Sequence, residues 1–293
     1  MPNVSTKSYI NLHFLVFIWG FTGVLGELIT VGSAEKTWYR MGIAWVLVGC
    51  YIWYRKISIK IAQQQIVYLL LTGCIIALHW VAFFEAIEVA NVSVTLVTLS
   101  TGAFFAAVLE PIFYRRRIIV YELLFGLFVI AGIYLIYEVN GDFLYGIVLT
   151  LIAAFLSALF SVINGRLAGK ASSSVITLYQ LLGGFTLITG YMMFTGKLQA
   201  ELFQLSKQDW LWIFVLGSIC TAYTFVKSID VMKHISPYTV MLTINLEPIY
   251  GIILAVMLFP ETEKMHYNFY IGAFIIVATV FVNGVLKLRK SRK

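Results

Sequence analysis

Apolar runs long enough to cross a bilayer recur along the whole chain, and they leave few folds open. A spanning helix needs about 20 predominantly apolar residues, because the hydrocarbon core is about 30 Å thick. Ten such runs can be drawn, at roughly 9–30, 36–54, 66–87, 90–113, 119–138, 145–167, 173–195, 209–229, 235–259 and 267–287. The connectors between them reach only about a dozen residues, which leaves no room for a soluble domain. Charged residues make up 12% of the 293, against about 25% in soluble domains, and the mean hydropathy is +0.89. The expected fold class is an all-α integral membrane protein of ten transmembrane helices.

The net charge of +7 does not argue for nucleic acid, because the basic residues sit in short loops and in the tail Lys287-Leu-Arg-Lys-Ser-Arg-Lys293. Short cytoplasmic loops attract Lys and Arg. With both termini cytoplasmic, 16 of the 21 basic residues fall on the inner side, including the run Arg115-Arg116-Arg117, which reads as a topology anchor. Lys36, Arg40, Lys197, Lys207 and Lys264 fall outside. An integral plasma (inner) membrane location follows as the expectation. The first apolar run has no small-residue cleavage site after it and exceeds a signal peptide's core, so it reads as the first span. Cys50, Cys74 and Cys220 lie inside apolar runs without metal-ligand spacing and read as reduced packing residues.

The spans divide into two sets of five, at 1–140 and 141–293. Leu124-Phe-Gly126-Leu-Phe-Val-Ile130 resembles Tyr270-Ile-Gly272-Ala-Phe-Ile-Ile276, and Val92 to Ala107 runs beside Pro237 to Ile253. Five is odd, so the halves enter the membrane with opposite orientation. Inverted repeats of this kind suit alternating access, with the solute site near the midplane where the halves meet.

The chain also resembles a known family. Phe17-Ile-Trp-Gly-Phe21 in the first span, Leu246-Glu247-Pro248-Ile249-Tyr250-Gly251 and Phe259-Pro-Glu261 in the ninth, and Tyr270-Ile-Gly272 opening the tenth are similar to the EamA-like branch of the drug/metabolite transporter superfamily. The resemblance covers the whole chain and implies a secondary carrier, mostly an exporter of amino-acid-like or drug-like metabolites. One departure is Glu110-Pro111 near the inner end of the fourth span, which is not the repeat equivalent of Glu247-Pro248.

Glu247 is the residue that most needs explaining. An acid at the centre of a spanning helix costs about 2.5–3.5 kcal/mol on insertion scales. It reads as a solute- or proton-binding carboxylate on a cavity, or else as a neutral group beside a kink that Pro248 makes by freeing the Ile244 carbonyl. His79, mid-span, is the other proton-coupling candidate, since imidazole titrates near neutrality. The alternative for it is a hydrogen bond that joins two helices. Trp80, Trp19 and Tyr223 are deep aromatics that could stack on a solute. Thr243, four residues before Glu247, shares its helical face; with Gln180 and Thr101, further polar groups on spans, it is a candidate substrate-binding residue. Arg40, one turn into the second span, reads as structural: it snorkels outward or pairs with Glu27 or an outer acid. Ser93, Thr95, Thr98 and Thr101 hint at a polar stripe.

No P-loop, HExxH, GxSxG or dinucleotide fingerprint is present, so neither enzyme chemistry nor a cofactor or metal is expected. The expected partners are a small-molecule solute and the lipid bilayer; the oligomeric state is left open, with a monomer sufficient. A secondary carrier, possible proton coupling included, is the leading reading. The alternatives are an intramembrane enzyme or lipid-modifying protein, and a channel-like facilitator.

Overall fold

The computed structural model of the chain describes residues 6–115, 128, 131–132, 134–135, 143–263 and 265–291. The expected span at 119–138 therefore lies almost wholly outside the described residues, as do Arg116, Arg117 and Lys264. No strand occurs among the described residues. The helices are α1 (Thr6–Leu28), α2 (Ser33–Tyr54), α3 (Gln63–Val89), α4 (Val92–Leu99), α5 (Gly102–Tyr114), α6 (Leu144–Leu167), α7 (Ser173–Phe194), α8 (Lys207–Gly217), α9 (Thr224–Val231), α10 (Pro237–Ile244), α11 (Glu247–Leu258) and α12 (Tyr267–Ser291).

Among the described residues, seven segments are long and apolar enough to cross a membrane: Lys7–Leu28, Gln63–Val89, Val92–Tyr114, Leu144–Leu167, Ser173–Phe194, Lys207–Val231 and Pro237–Leu258. Helix α2 spans 22 residues but falls short in hydropathy, because Glu35, Lys36 and Arg40 crowd its first turns among Trp and Tyr side chains. Helix α12 runs for 25 residues and opens with the apolar stretch Tyr267–Thr279.

Three of the spans are interrupted. The fourth is α4 followed by α5, with Ser100 and Thr101 between; the ninth is α10 followed by α11, with Asn245 and Leu246 between. The eighth continues from α8 to α9 through a wide π turn, Ser218–Tyr223. Local chemistry sets the helix starts. Asn91 Oδ1 accepts from Val94 N at 2.8 Å at the head of α4. Ser236 Oγ accepts from Thr239 N at 3.3 Å at the head of α10, where Pro237 occupies the first turn and loses no hydrogen bond.

Helix α3 is the central element, packed chiefly on α7 and α6. Backbone meets backbone there: a Cβ on Gly73 would stand 1.9 Å from the Gln180 carbonyl oxygen, and one on Gly183 2.2 Å from that of Leu70. Helices α1 and α11 touch in the same way, since a Cβ on Gly20 would lie 2.7 Å from Tyr250 Cβ. Small residues permit such approach where lipid supplies no hydrophobic drive for helices to associate. Cys50 is exposed on α2 and so is not a packing residue, whereas Cys220 is buried.

The end of the bundle where α1 turns into α2 is tied by polar contacts. Asp209 accepts from Thr30 N at 2.8 Å and from Thr30 Oγ1 at 2.9 Å. Ser33 donates to Glu85 at 2.6 Å, and Lys36 to Glu88 at 2.8 Å. Lys197 pairs with Glu35 at 3.1 Å.

Candidate functional site

A cavity of about 70 Å³ opens among α1, α2, α3, α6, α9, α10 and α11, with room for several waters. It takes walls from both halves of the sequence. Trp19, Arg40, His79 and Trp80 come from the first; Phe160, Asn164, Phe225 and Glu247 come from the second.

Glu247 opens α11 at the break in the ninth span and is buried. Among the described residues no hydrogen bond is made to its carboxylate. Its neighbour Pro248 stands in the first turn of α11 rather than inside a continuous helix. A proline in that place lacks an N–H that would have had no intrahelical partner anyway, and in place of the expected kink the span tightens into a 3-10 turn at Asn245 and Leu246, whose backbone stays right-handed helical.

His79 is buried, and its Nδ1 lies 2.8 Å from the Ala153 carbonyl oxygen. A carbonyl only accepts, so Nδ1 carries a proton and joins α3 to α6. The ring sits 5.4 Å from the Phe160 ring and 6.2 Å from that of Phe83. No hydrogen bond links His79 with Glu247 among the described residues, although both line the cavity. Trp80 is buried with its ring 5.5 Å from Phe225. Trp19 donates Nε1–H to Thr224 Oγ1 at 3.0 Å, joining α1 to α9.

The other four expected site residues do not line the cavity. Tyr223 is 44% exposed on the outside of the bundle, because the π turn before it inserts a residue and shifts the helical phase by about 100°. Thr243 donates back to the Thr239 carbonyl at 2.9 Å. Gln180 stands one step behind the wall, donating to Asn164 Oδ1 at 2.6 Å. Thr101 is buried in packing at the break of the fourth span. Ser93, Thr95 and Thr98 are fully buried with it and also miss the cavity, so the expected stripe forms no part of its wall.

Arg40 does not snorkel. It is 2% exposed and lines the cavity. Its Nε donates to Thr221 Oγ1 at 2.6 Å and its Nη2 to the Cys220 carbonyl at 3.4 Å. Its guanidinium carbon lies 4.0 Å from the centroid of the Trp80 ring. Neither Glu27 nor any outer acid pairs with it among the described residues. Asn164, Ser157 and Ser161 of α6 also line the cavity, and no sequence signal beyond their being polar groups on an apolar span marks them.

The sequence model of the EamA-like transporter family matches residues 6–138 and again residues 144–285. The chain belongs to the EamA-like transporter family. That family is part of the drug/metabolite transporter superfamily. Across 270 residues the chain is 21% identical to an uncharacterized transporter, YxxF, of Bacillus subtilis (strain 168), covering 86% of this chain and 83% of that one. A solved crystal structure shares the fold with a TM-score of 0.70 at 14% identity, over 96% of this chain and 98% of that chain. The chain is thus a multi-pass membrane transporter, and its Glu247-Pro248 region lies within the second family match.

Proposed function

We propose that this member of the EamA-like family is a secondary carrier that exports a small metabolite by alternating access, with proton coupling through Glu247. In this reading ten spans form two inverted five-helix repeats in the plasma membrane, with both termini cytoplasmic. The observation that carries it is the cavity itself: residues from both halves enclose it where α10 gives way to α11, and it exposes a carboxylate that no group among the described residues hydrogen-bonds. Discontinuous helices around a midplane site are how secondary transporters of this build hold solutes.

The cavity's size supports a cycle of states. About 70 Å³ holds waters but no metabolite, so loading requires the helices to part. With the termini cytoplasmic, Asn164, Ser228 and Met232 extend the cavity toward the cytoplasm. The ties of Thr30 to Asp209, Ser33 to Glu85 and Lys36 to Glu88 then close the outer end. Release to the outside breaks them.

The alternatives draw less support. A pore requires a continuous polar wall, and the hydroxyl stripe of the fourth span is buried in packing. An intramembrane enzyme requires acids or histidines acting together, and the cavity offers Glu247 and His79 without a hydrogen bond between them.

The test is efflux of a metabolite mixture from proteoliposomes, with and without an imposed pH gradient. The wild type is expected to export at least one solute faster with the gradient. Glu247→Gln is expected to lose that acceleration by at least tenfold while remaining folded. Gradient-driven export that survives in Glu247→Gln removes the proton role, and absence of flux for every solute removes the carrier.

A further inference from the structure

We propose that Arg40 is the anchor for a carboxylate on the transported solute, which is therefore a small organic monoanion with an apolar or aromatic body. The inference rests on the carrier reading above and adds the chemical class of the solute.

Among the described residues, no carboxylate closes on the guanidinium as an ion pair. A buried ion costs several kcal/mol unless it is paired and hydrogen-bonded. Arg40 is buried, yet among the described residues no carboxylate lies within ion-pair distance of it. Of its five N–H donors, the Nε–H goes to Thr221 and one on Nη2 to the Cys220 carbonyl, while Nη1 has no partner. Glu247 lines the same cavity without closing on Arg40.

The support beneath Arg40 is built for it. The π turn Ser218–Tyr223 turns Thr221 inward, where its hydroxyl donates to the Leu216 carbonyl, five residues back, at 2.7 Å. With its proton committed there, the Thr221 oxygen can only accept, and it accepts from Arg40 Nε. Single π turns inside α-helices are frequent at functional sites. Trp80 covers one face of the guanidinium at 4.0 Å. The ring and the threonine together fix the plane of the fork, and a fixed planar fork is the donor geometry that matches a carboxylate's two oxygens.

The remaining walls set the rest of the solute. Trp19, Phe83, Phe160 and Phe225 present ring surface to the cavity, which suits an apolar or aromatic body and offers little to a polyanion. Charge balance adds a constraint. Glu247 is the one acid lining the cavity among the described residues. An ionised Glu247 and the solute's carboxylate are therefore alternatives as counter-charge to Arg40, and removing the charge on Glu247 favours the solute.

The experiment measures binding to the purified full chain in detergent by thermal shift and tryptophan quenching. The probes are butyrate, hexanoate, benzoate and phenylacetate, each beside its neutral amide and a matched amine. At least one carboxylate is expected to bind while its amide and amine do not. Arg40→Gln is expected to weaken that carboxylate at least tenfold. Arg40→Lys, which keeps the charge and loses the fork, is expected to weaken it several-fold, and Glu247→Gln to bind it at least as tightly as the wild type. Equal binding of amide or amine, wild-type affinity in Arg40→Gln, or binding by none of the carboxylates overturns the proposal. If Arg40→Gln does not fold, wild-type affinity in a folded Arg40→Lys overturns it instead. A carboxylate that binds through Arg40 but shows no flux in proteoliposomes removes the carrier reading and leaves the anion site. Export of a neutral solute with no carboxylate bound does the reverse.

Discussion

The fourth and ninth spans break in the same place and by the same hydrogen bonds. Each boundary of the ninth follows its counterpart at one constant offset: Val92 and Pro237, Leu99 and Ile244, Gly102 and Glu247. At the first break, Ser100 N donates to Val97 at 3.2 Å and Thr101 N to Thr98 at 3.1 Å; at the second, Asn245 N donates to Leu242 at 3.2 Å and Leu246 N to Thr243 at 3.0 Å. Beyond each break, Phe104 N reaches Thr101 and Ile249 N reaches Leu246 in the same tight pattern. What differs is the chemistry placed there. The first break is buried in packing and gives the cavity only Leu99, whereas the second gives it Ile244 and Glu247. The interruption belongs to the repeated scaffold; the carboxylate belongs to one copy of it.

The starts of the two spans differ in a way that yields the largest stability effect. Glu263 follows the ninth span and is 1% exposed, and its two oxygens accept from Val92 N at 2.8 Å and Ser93 N at 2.9 Å at the head of the fourth. Glu110, near the end of the fourth span, accepts from Tyr238 N at 3.0 Å at the head of the ninth. Each broken span thus holds the first turn of the other. Removing Glu263 leaves two buried N–H groups without their acceptor, at about 1–3 kcal/mol for each unsatisfied group. Glu263→Ala is expected to lower stability by about 2–3 kcal/mol, read from thermal unfolding in detergent. A loss below about 0.5 kcal/mol would mean that the reciprocal ties do not hold the two spans together.

A smaller effect tests whether proline causes the ninth-span break. Ala103 stands in the fourth span where Pro248 stands in the ninth, and its N–H makes only a long 3.4 Å contact with the Ser100 carbonyl. The fourth span therefore breaks without proline. Pro248→Ala is expected to keep the interruption and to keep transport activity within about twofold. It should cost about 0.4–1 kcal/mol, because proline lowers the entropy of the unfolded chain. A larger loss of activity at unchanged stability would return the break to Pro248.

This comparison also shows what the sequence could and could not reveal. Apolar run length is a local signal, so among the described residues helices appear within a few residues of nine of the expected spans, the one at 119–138 lying outside them. The place of Glu247 on a cavity wall was legible from the cost of a mid-span acid. Arg40 was not legible, because its support is a π turn about 180 residues away in sequence, and nothing near Arg40 distinguishes a cavity cation from one that snorkels. Tyr223 was read as a deep aromatic, and the π turn that ends on it, which no local signal marks, leaves it on the outside of the bundle. Gln180 was read as a wall residue, but its amide backs Asn164, a relation that only the packing of α7 on α6 decides.

The smallest prediction concerns a contact away from both breaks, which sets the scale for them. Lys197 pairs with Glu35 at 3.1 Å, and its side chain is 45% exposed. The hydrogen bond to Glu35 holds the Lys197 ammonium above its ordinary value of 10.5. A raised value for a base means that the charged form is favoured in the folded chain. The contribution is then fully present below about 10.5 and is lost as pH rises through the folded-state value. Solvent screens an exposed pair, so Lys197→Ala is expected to cost about 0.5 kcal/mol or less at neutral pH. The difference between variant and wild type should shrink further in high salt and vanish in strongly alkaline buffer. A cost near that of Glu263→Ala would mean that the outer ties, and not the reciprocal caps, carry the stability of the closed state. The two broken spans would then be free to move as separate bodies once that end opens.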